Sequence, residues 1–413
     1  MSIINFKEIC NNRGPFLIFN FTIGLDNRTD MNILQLLTSL DDEIAIRAIA
    51  SHSKILKNNQ SNSYVFAPLG RELSYFKRWG AEIASSRNSS MNINYSKVTI
   101  KEICDIVTEK SISTIHVYDL VGYKAALHVK KICSIEIIFS LLKNTSEQTI
   151  IGKLNNTIFG EFIPRVTTLV PSKGAYKELL TKYSRKNIDL FHVPVPVDFT
   201  IYDEKKISQE RTISLATQWG MLEKPRHIIF AKAYFSSKKW QNQIIKLSVS
   251  LEKLPENIRP YIVILKNKAN SKQISEFEEL YFKNRNSVLC LMDELNDLEA
   301  GLKLSSIYLE LSPKIDYYSL DILNALAMGN AVVSWRNATN EELLPSEFHD
   351  YMAENADIKT LTQILTNLLK MSTNERDFTG RTSRNYVLNN FNTKNMEELL
   401  IDAYSTLSFS KAG

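Results

Sequence analysis

The chain has 413 residues, which is more than one compact core normally holds, so the length predicts two domains. Hydrophobic residues make up 44% and charged residues 23%, the balance of an ordinary soluble globular protein. The formal net charge of +5 permits an anionic substrate or a weak attraction to an acidic membrane surface. It is too small for a nucleic-acid-binding protein, so we expect no nucleic-acid partner.

The four cysteines lie far apart and form no C-x-x-C pair, which disfavours a structural zinc site and a disulfide framework. Charged residues come early in the chain and the apolar run at 16–19 is short, unlike a signal peptide. No stretch reaches the ~18 uncharged apolar residues that a membrane span needs. We therefore expect a cytoplasmic protein, with at most a weak peripheral contact with the inner face of the membrane.

Short apolar runs alternate with longer amphipathic stretches, a pattern that predicts βαβ units on parallel sheets. In the first half the predicted strands are residues 16–22, 44–50, 114–117, 135–139, 166–170 and 188–193. In the second half they are residues 227–231, 261–265, 288–291, 306–309 and 331–334. The clearest predicted helices are residues 31–40, 244–254 and 358–369.

The boundary between the halves is marked by Pro194 and Pro196, which cannot continue a strand ladder. We expect an amino-terminal domain at 1–197, a second domain at 198–390 and a tail helix at 391–413. Two doubly wound halves predict a ligand cleft between them, at the carboxyl ends of the strands. No G-x-G-x-x-G follows any predicted strand, so a dinucleotide-dependent dehydrogenase is disfavoured.

The most informative segment runs from residue 306 to residue 344. It reads as a strand, a loop, a helix from Ser319 to Met328 that Gly329 ends, a second strand, and a loop that reaches Glu342. A loop that enters a helix at a strand's carboxyl end is suited to anions, because free N–H groups and the helix dipole point there.

This segment resembles family 4 of the retaining glycosyltransferases, which carries Glu-x7-Glu here. Asp316 and Asn324 stand at the two acidic positions, and Glu342 lies beyond them. The resemblance implies that Asp316 meets the donor sugar and that Asn324 meets the ribose hydroxyls. It also implies that the loop at Tyr317, Tyr318 and Ser319 binds the diphosphate.

Other segments extend the resemblance over nearly the whole chain, through their order and spacing. They are residues 24–29, 69–73, 79–81, 114–119, 191–198, 211–219 and 236–241. Gly24 matches the donor loop near the amino terminus. His116 matches a strand-end histidine on the acceptor side and is a candidate catalytic residue. A lone histidine is more often a structural hydrogen-bonding group, and a strand-to-helix glycine can serve the turn alone.

The sequence departs from the family in its donor site. Tyr234 stands where the family has a phosphate-binding arginine, and Asn324 replaces the second glutamate. The phosphate-binding lysine is retained as Lys239 or Lys238, and a solvated lysine is the simpler alternative for either. Glu342 is either a pocket residue or a solvated residue near the start of a helix.

The fold implied by the resemblance is GT-B: two Rossmann-like domains that face a cleft, with the carboxyl-terminal helix crossing back to the first domain. The implied activity is retaining transfer of a hexose from a nucleoside diphosphate sugar to a lipid-linked or saccharide acceptor. No cofactor or metal is expected, because cations and helix amides can carry the leaving diphosphate. The setting expected from the family is bacterial cell-envelope polysaccharide synthesis. The alternative is an inactive homologue that binds a partner protein or a glycan.

Overall fold

The structure is a computed structural model that describes residues 31–84, 97–143, 166–183, 189–222, 226–266, 271–293, 297–313 and 318–409. Within these residues, seven parallel strands form the first sheet, in the order β3-β2-β1-β4-β5-β6-β7. They are β1 Asn32–Leu36, β2 Asn62–Phe66, β3 Glu82–Ile83, β4 Thr114–Val117, β5 Glu136–Ser140, β6 Thr167–Val170 and β7 Leu190–His192. The described helices of this half are α1 Glu43–Asn58, α2 Glu72–Arg78, α3 Lys97–Glu109, α4 Leu120–Lys130 and α5 Lys173–Lys182.

The second sheet has six parallel strands among the described residues, in the order β10-β9-β8-β11-β12-β13. They are β8 Ile228–Ala231, β9 Tyr261–Leu265, β10 Leu289–Met292, β11 Ile307–Glu310, β12 Ala331–Trp335 and β13 Met352–Ala353. The described helices are α6 Gln209–Gln218, α7 Lys238–Glu252, α8 Ser271–Lys283, α9 Leu298–Leu304, α10 Leu320–Ala327, α11 Ala338–Leu343, α12 Ile358–Leu369, α13 Thr373–Asn390 and α14 Thr393–Phe409. Short 3-10 turns lie at Glu204–Lys206 and Ser346–Tyr351.

Two early elements differ from the sequence prediction. The predicted helix at 31–40 contains strand β1, whose Ile33, Leu34 and Leu36 have no exposed surface. A central strand buried on both faces shows no period-two alternation, so the apolar pattern was ambiguous. The predicted strand at 44–50 lies in helix α1, which begins after Asp42 because that side chain accepts hydrogen bonds from the first-turn amides. The predicted strand at 16–22 lies outside the described residues.

The tail returns to the first half, as the resemblance implied. The amide of Val197 donates to the carbonyl of Phe391 at 2.9 Å, so the two connections between the halves lie side by side. Beyond this point α14 packs against α1, β6 and β7 of the first sheet. Two parallel α/β halves with a returning helix confirm the predicted fold class, while the proposed domain boundaries stay predictions.

No described helix is both long enough and apolar enough to span a lipid bilayer.

Candidate active site

The second sheet has a switch point between β8 and β11. These strands are neighbours in the sheet, yet from β8 the chain continues to β9 on one side and from β11 to β12 on the other. The loops that leave them therefore diverge and open a crevice, which is where ligands bind in such sheets. Lys232 directly follows β8, and Glu310 ends β11.

A cavity of about 360 Å³ lies at this crevice and is lined from both halves of the protein. The second half contributes Lys232 and Lys266, which follow β8 and β9, and Asp321 and Asn324 from α10. The first half contributes Glu43, in the first turn of α1. The cavity is thus part of the predicted cleft between the two halves.

Lys232 is the centre of a charged network at this crevice. Its ammonium forms an ion pair with Asp321, and Tyr234 donates a hydrogen bond to the neighbouring Glu310. Burial alone would lower the pKa of Lys232, but the carboxylates of Asp321 and Glu310 outweigh burial and hold that pKa well above its ordinary value. Lys232 is therefore a cation at neutral pH. Glu310 is only 2% exposed, which explains why it needs partners in the protein.

Asn324 differs from the rest of the cavity wall because its amide has no partner. The residue has no exposed surface, and neither Nδ2 nor Oδ1 makes a hydrogen bond. A buried amide without partners costs about 1–3 kcal/mol, so such a group is rare without a reason. One donor and one acceptor beside a cavity suit a hydroxyl-rich ligand.

The loop before α10 was predicted to bind the diphosphate. Asp316 and Tyr317 lie outside the described residues, as does Gly24 of the amino-terminal loop. Tyr318 is buried, and its hydroxyl donates to the carbonyl of Val195 at 2.7 Å, in the connection between the halves. Ser319 stands at the predicted helix start, but its hydroxyl caps no helix amide and has no hydrogen-bond partner. Gly329 ends α10 with a φ of +81°, as predicted.

The two candidate phosphate lysines begin α7. Lys238 pairs with Glu276 of α8, and Lys239 is exposed to solvent. Neither side chain lines the cavity beside Lys232. The phosphate role of Lys239 stays a prediction.

Glu342 makes a contact between the halves that the sequence did not reveal. Its carboxylate accepts hydrogen bonds from the amides of Lys173, at 2.7 Å, and Gly174, at 3.1 Å, in the first turn of α5. A carboxylate at a helix amino terminus is favoured by both the free amides and the dipole. Glu342 therefore fastens the second half to the first, and its donor-site role stays a prediction.

His116 lies inside the first half. It has no exposed surface, and its Nδ1 and Nε2 lie 2.7 Å and 2.8 Å from the hydroxyls of Tyr404 and Ser140. Burial lowers the pKa of His116 well below its ordinary value, and nearby His52 adds to the effect. This geometry favours the structural alternative, and the catalytic role of His116 stays a prediction.

The sequence analysis did not single out Lys232, Glu310, Glu43 or Asp321. A simple signal was present for two of them, because Lys232 follows one predicted strand and Glu310 follows another. Ionisable residues directly after parallel strands meet at one edge of the sheet. Among the residues that the structure describes, no group of three metal-ligating side chains is assembled.

No protein-family model matches the sequence, and no curated protein matches it. Solved structures do match. A glycosyltransferase from Rickettsia africae ESF-5 superposes with a TM-score of 0.74 at 14% identity, over 91% of this chain and 98% of that one. Anabaena HepE in complex with UDP-glucose superposes with a TM-score of 0.73 at 12% identity, over 91% of this chain and 100% of that one. Sucrose-phosphate synthase from Thermosynechococcus elongatus superposes with a TM-score of 0.69 at 10% identity, over 92% of this chain and 100% of that one. Likeness over whole chains at such low identity establishes the architecture, and the chain has the GT-B fold.

Proposed function

We propose that this protein is a glycosyltransferase that uses a nucleoside diphosphate sugar as donor and binds it in the cleft at β8 and β11. The single observation that carries the proposal is the unpaired, fully buried amide of Asn324 beside Lys232 in the switch-point cavity. A group that costs stability in the empty protein is explained by a ligand that satisfies it. Neighbours in fold support the ligand class, since HepE is described in complexes with UDP-glucose and with UDP.

The finer parts of the proposal come from the family resemblance. They are transfer of a hexose with retention, and contact of Asp316, Lys239 and Asn324 with the sugar, the diphosphate and the ribose respectively. Tyr234, Ser319 and the helix amides beside Ser319 complete the donor site, without a cofactor or a metal. The acceptor is a saccharide or a lipid-linked saccharide. Staphylococcus aureus TarM, of similar fold, is described with UDP, fondaparinux and α-GlcNAc-glycerol.

The test has two stages. Isothermal titration calorimetry of UDP, GDP and ADP against the full chain should give saturable binding of at least one of them. Donor hydrolysis with the matching nucleotide sugars should then release that diphosphate, and nuclear magnetic resonance of the freed sugar reports retention or inversion. If no nucleotide binds at millimolar concentration, the transferase proposal fails. An inactive homologue that binds a partner or a glycan then replaces it.

A further inference from the structure

The cavity at the switch point has an unusual charge balance for a site that is to hold a diphosphate. Of the two lysines that line it, Lys266 is already bound to Asp293 at 2.8 Å and to Glu278 at 3.3 Å. Lys232 is paired with Asp321, which lines the same cavity, so each of the two lysines already has a carboxylate partner. Glu43, from the first half, also lines the cavity.

We propose that Asp321 is an internal competitor for the phosphate-binding cation: it holds Lys232 in the empty cavity, and a nucleoside diphosphate must displace it to bind. This inference rests on the proposed function and names the residues that set the affinity of the donor site. Lys232 binds the diphosphate, and Asp321 sets the free-energy cost of freeing it.

The geometry allows this exchange. The side chains of Lys232 and Asp321 keep 36% and 25% of their surface, so solvent and a ligand can reach their ion pair. A lysine ammonium sits on a flexible four-carbon stem and can turn from one anion to another without the fixed geometry of an arginine fork. A diphosphate carries more negative charge than one carboxylate and can replace it as the partner.

The first half strengthens the competition. Glu43 and Asp321 both line the cavity. Burial raises the pKa of the Glu43 carboxyl, and the negative charge of Asp321 raises it further, so the two acids repel each other. A diphosphate that enters meets both. Removing the charge of Asp321 therefore frees the cation and also relieves a repulsion, whereas an uncharged ligand gains from neither change.

The experiment measures UDP and uridine binding by calorimetry, with GDP or ADP and its nucleoside substituted if the wild type prefers them. Asp321→Asn should bind the diphosphate about tenfold or more tightly than the wild type, as for a charged hydrogen bond gained. Uridine binding should not change. The gain should be lost in Asp321→Asn combined with Lys232→Gln, and it should shrink in 0.5 M salt, where charges are screened over a few ångströms.

The matched control is Glu136→Gln, which removes the same charge from the Lys130–Glu136 pair of the first half, outside the cavity. It should leave both affinities unchanged, and Lys232→Gln alone should weaken diphosphate binding. If the wild type binds UDP but Asp321→Asn binds it no more tightly, the inference is wrong and the proposed function stands. An equal gain in Glu136→Gln, or for uridine, also overturns the inference. If neither wild type nor Asp321→Asn binds a nucleoside diphosphate, both proposals fail.

Discussion

Substitution by leucine should change the free energy of unfolding in opposite directions at two buried asparagines of the second half. Asn324 has no hydrogen-bond partner, whereas Asn330 donates to the carbonyls of Leu302 and Ser305 and to the Ser305 hydroxyl, at 2.7–3.0 Å. Asn324→Leu removes an unpaired amide that costs about 1–3 kcal/mol. After some loss to the larger side chain, it should raise the free energy of unfolding by about 1 kcal/mol. Asn330→Leu removes the hydrogen-bond donor of two buried carbonyls and should lower the free energy of unfolding by about 2–4 kcal/mol.

Hydrogen exchange of the β11 and β12 amides is the assay, because it reads the stability of the second half by itself. Asn324→Leu should slow this exchange while abolishing nucleotide binding, the signature of a residue kept for a ligand rather than for stability. Asn330→Leu should speed it. If Asn324→Leu is as destabilising as Asn330→Leu, the Asn324 amide is satisfied inside the protein and the argument for a ligand at this residue is refuted.

Three further predictions concern the rest of the molecule. Glu342→Gln should lower the free energy of unfolding in urea by about 1–2 kcal/mol and speed the hydrogen exchange of the first amides of α5. The control Glu341→Gln removes an exposed ion pair with Arg336 and should lower the free energy of unfolding by less than about 1 kcal/mol. Burial lowers the pKa of His52 to about 3 and that of His192 to about 4. The unfolded chain therefore binds more protons below about pH 6.5, and stability should fall from there toward pH 4, less steeply in His192→Asn, as pH-dependent unfolding would show. Truncation after Asn392 removes α14 and exposes apolar core surface, so the melting temperature and solubility should both fall; an unchanged melting temperature would show that the tail is not structural.

Much of the second half could be read from its sequence. Strand β9 and helix α12 have the predicted bounds, and α10 begins after Ser319 and ends before Gly329 as expected. These elements carry their own signals: a short β-branched run, an apolar helical stripe, and a glycine with positive φ at the helix end. The first half was harder to predict because β1 is buried on both faces and shows no alternation of apolar and polar residues. The β-branched isoleucines of α1 favoured a strand prediction, although Asp42 is a typical residue for the start of a helix.

The candidate site was less predictable because its contacts join distant parts of the chain. Glu342 and Gly174 are 168 residues apart, and no local pattern tells a solvated glutamate from one that caps a helix of the other domain. Glu43 reaches the cavity from α1 only because the two halves face each other there. The family resemblance directed attention to Lys239, although Lys232, which lines the cavity, comes seven residues earlier, directly after β8.

Two of the positions at which the site departs from the family, Tyr234 and Asn324, differ in their consequences. The Tyr234 hydroxyl has a protein partner in the buried Glu310, and an internal hydrogen bond of that kind stabilises the empty protein whether or not a ligand ever binds. Asn324 has no such partner, so its buried amide lowers the stability of the protein and no hydrogen bond among the described residues compensates for it. In a protein that no longer bound a ligand here, an apolar side chain at position 324 would remove this loss of stability, because stabilising substitutions are readily found. The polar groups around Lys232 fit either an enzyme or an inactive homologue; the unpaired amide of Asn324 favours a ligand that the cavity still binds.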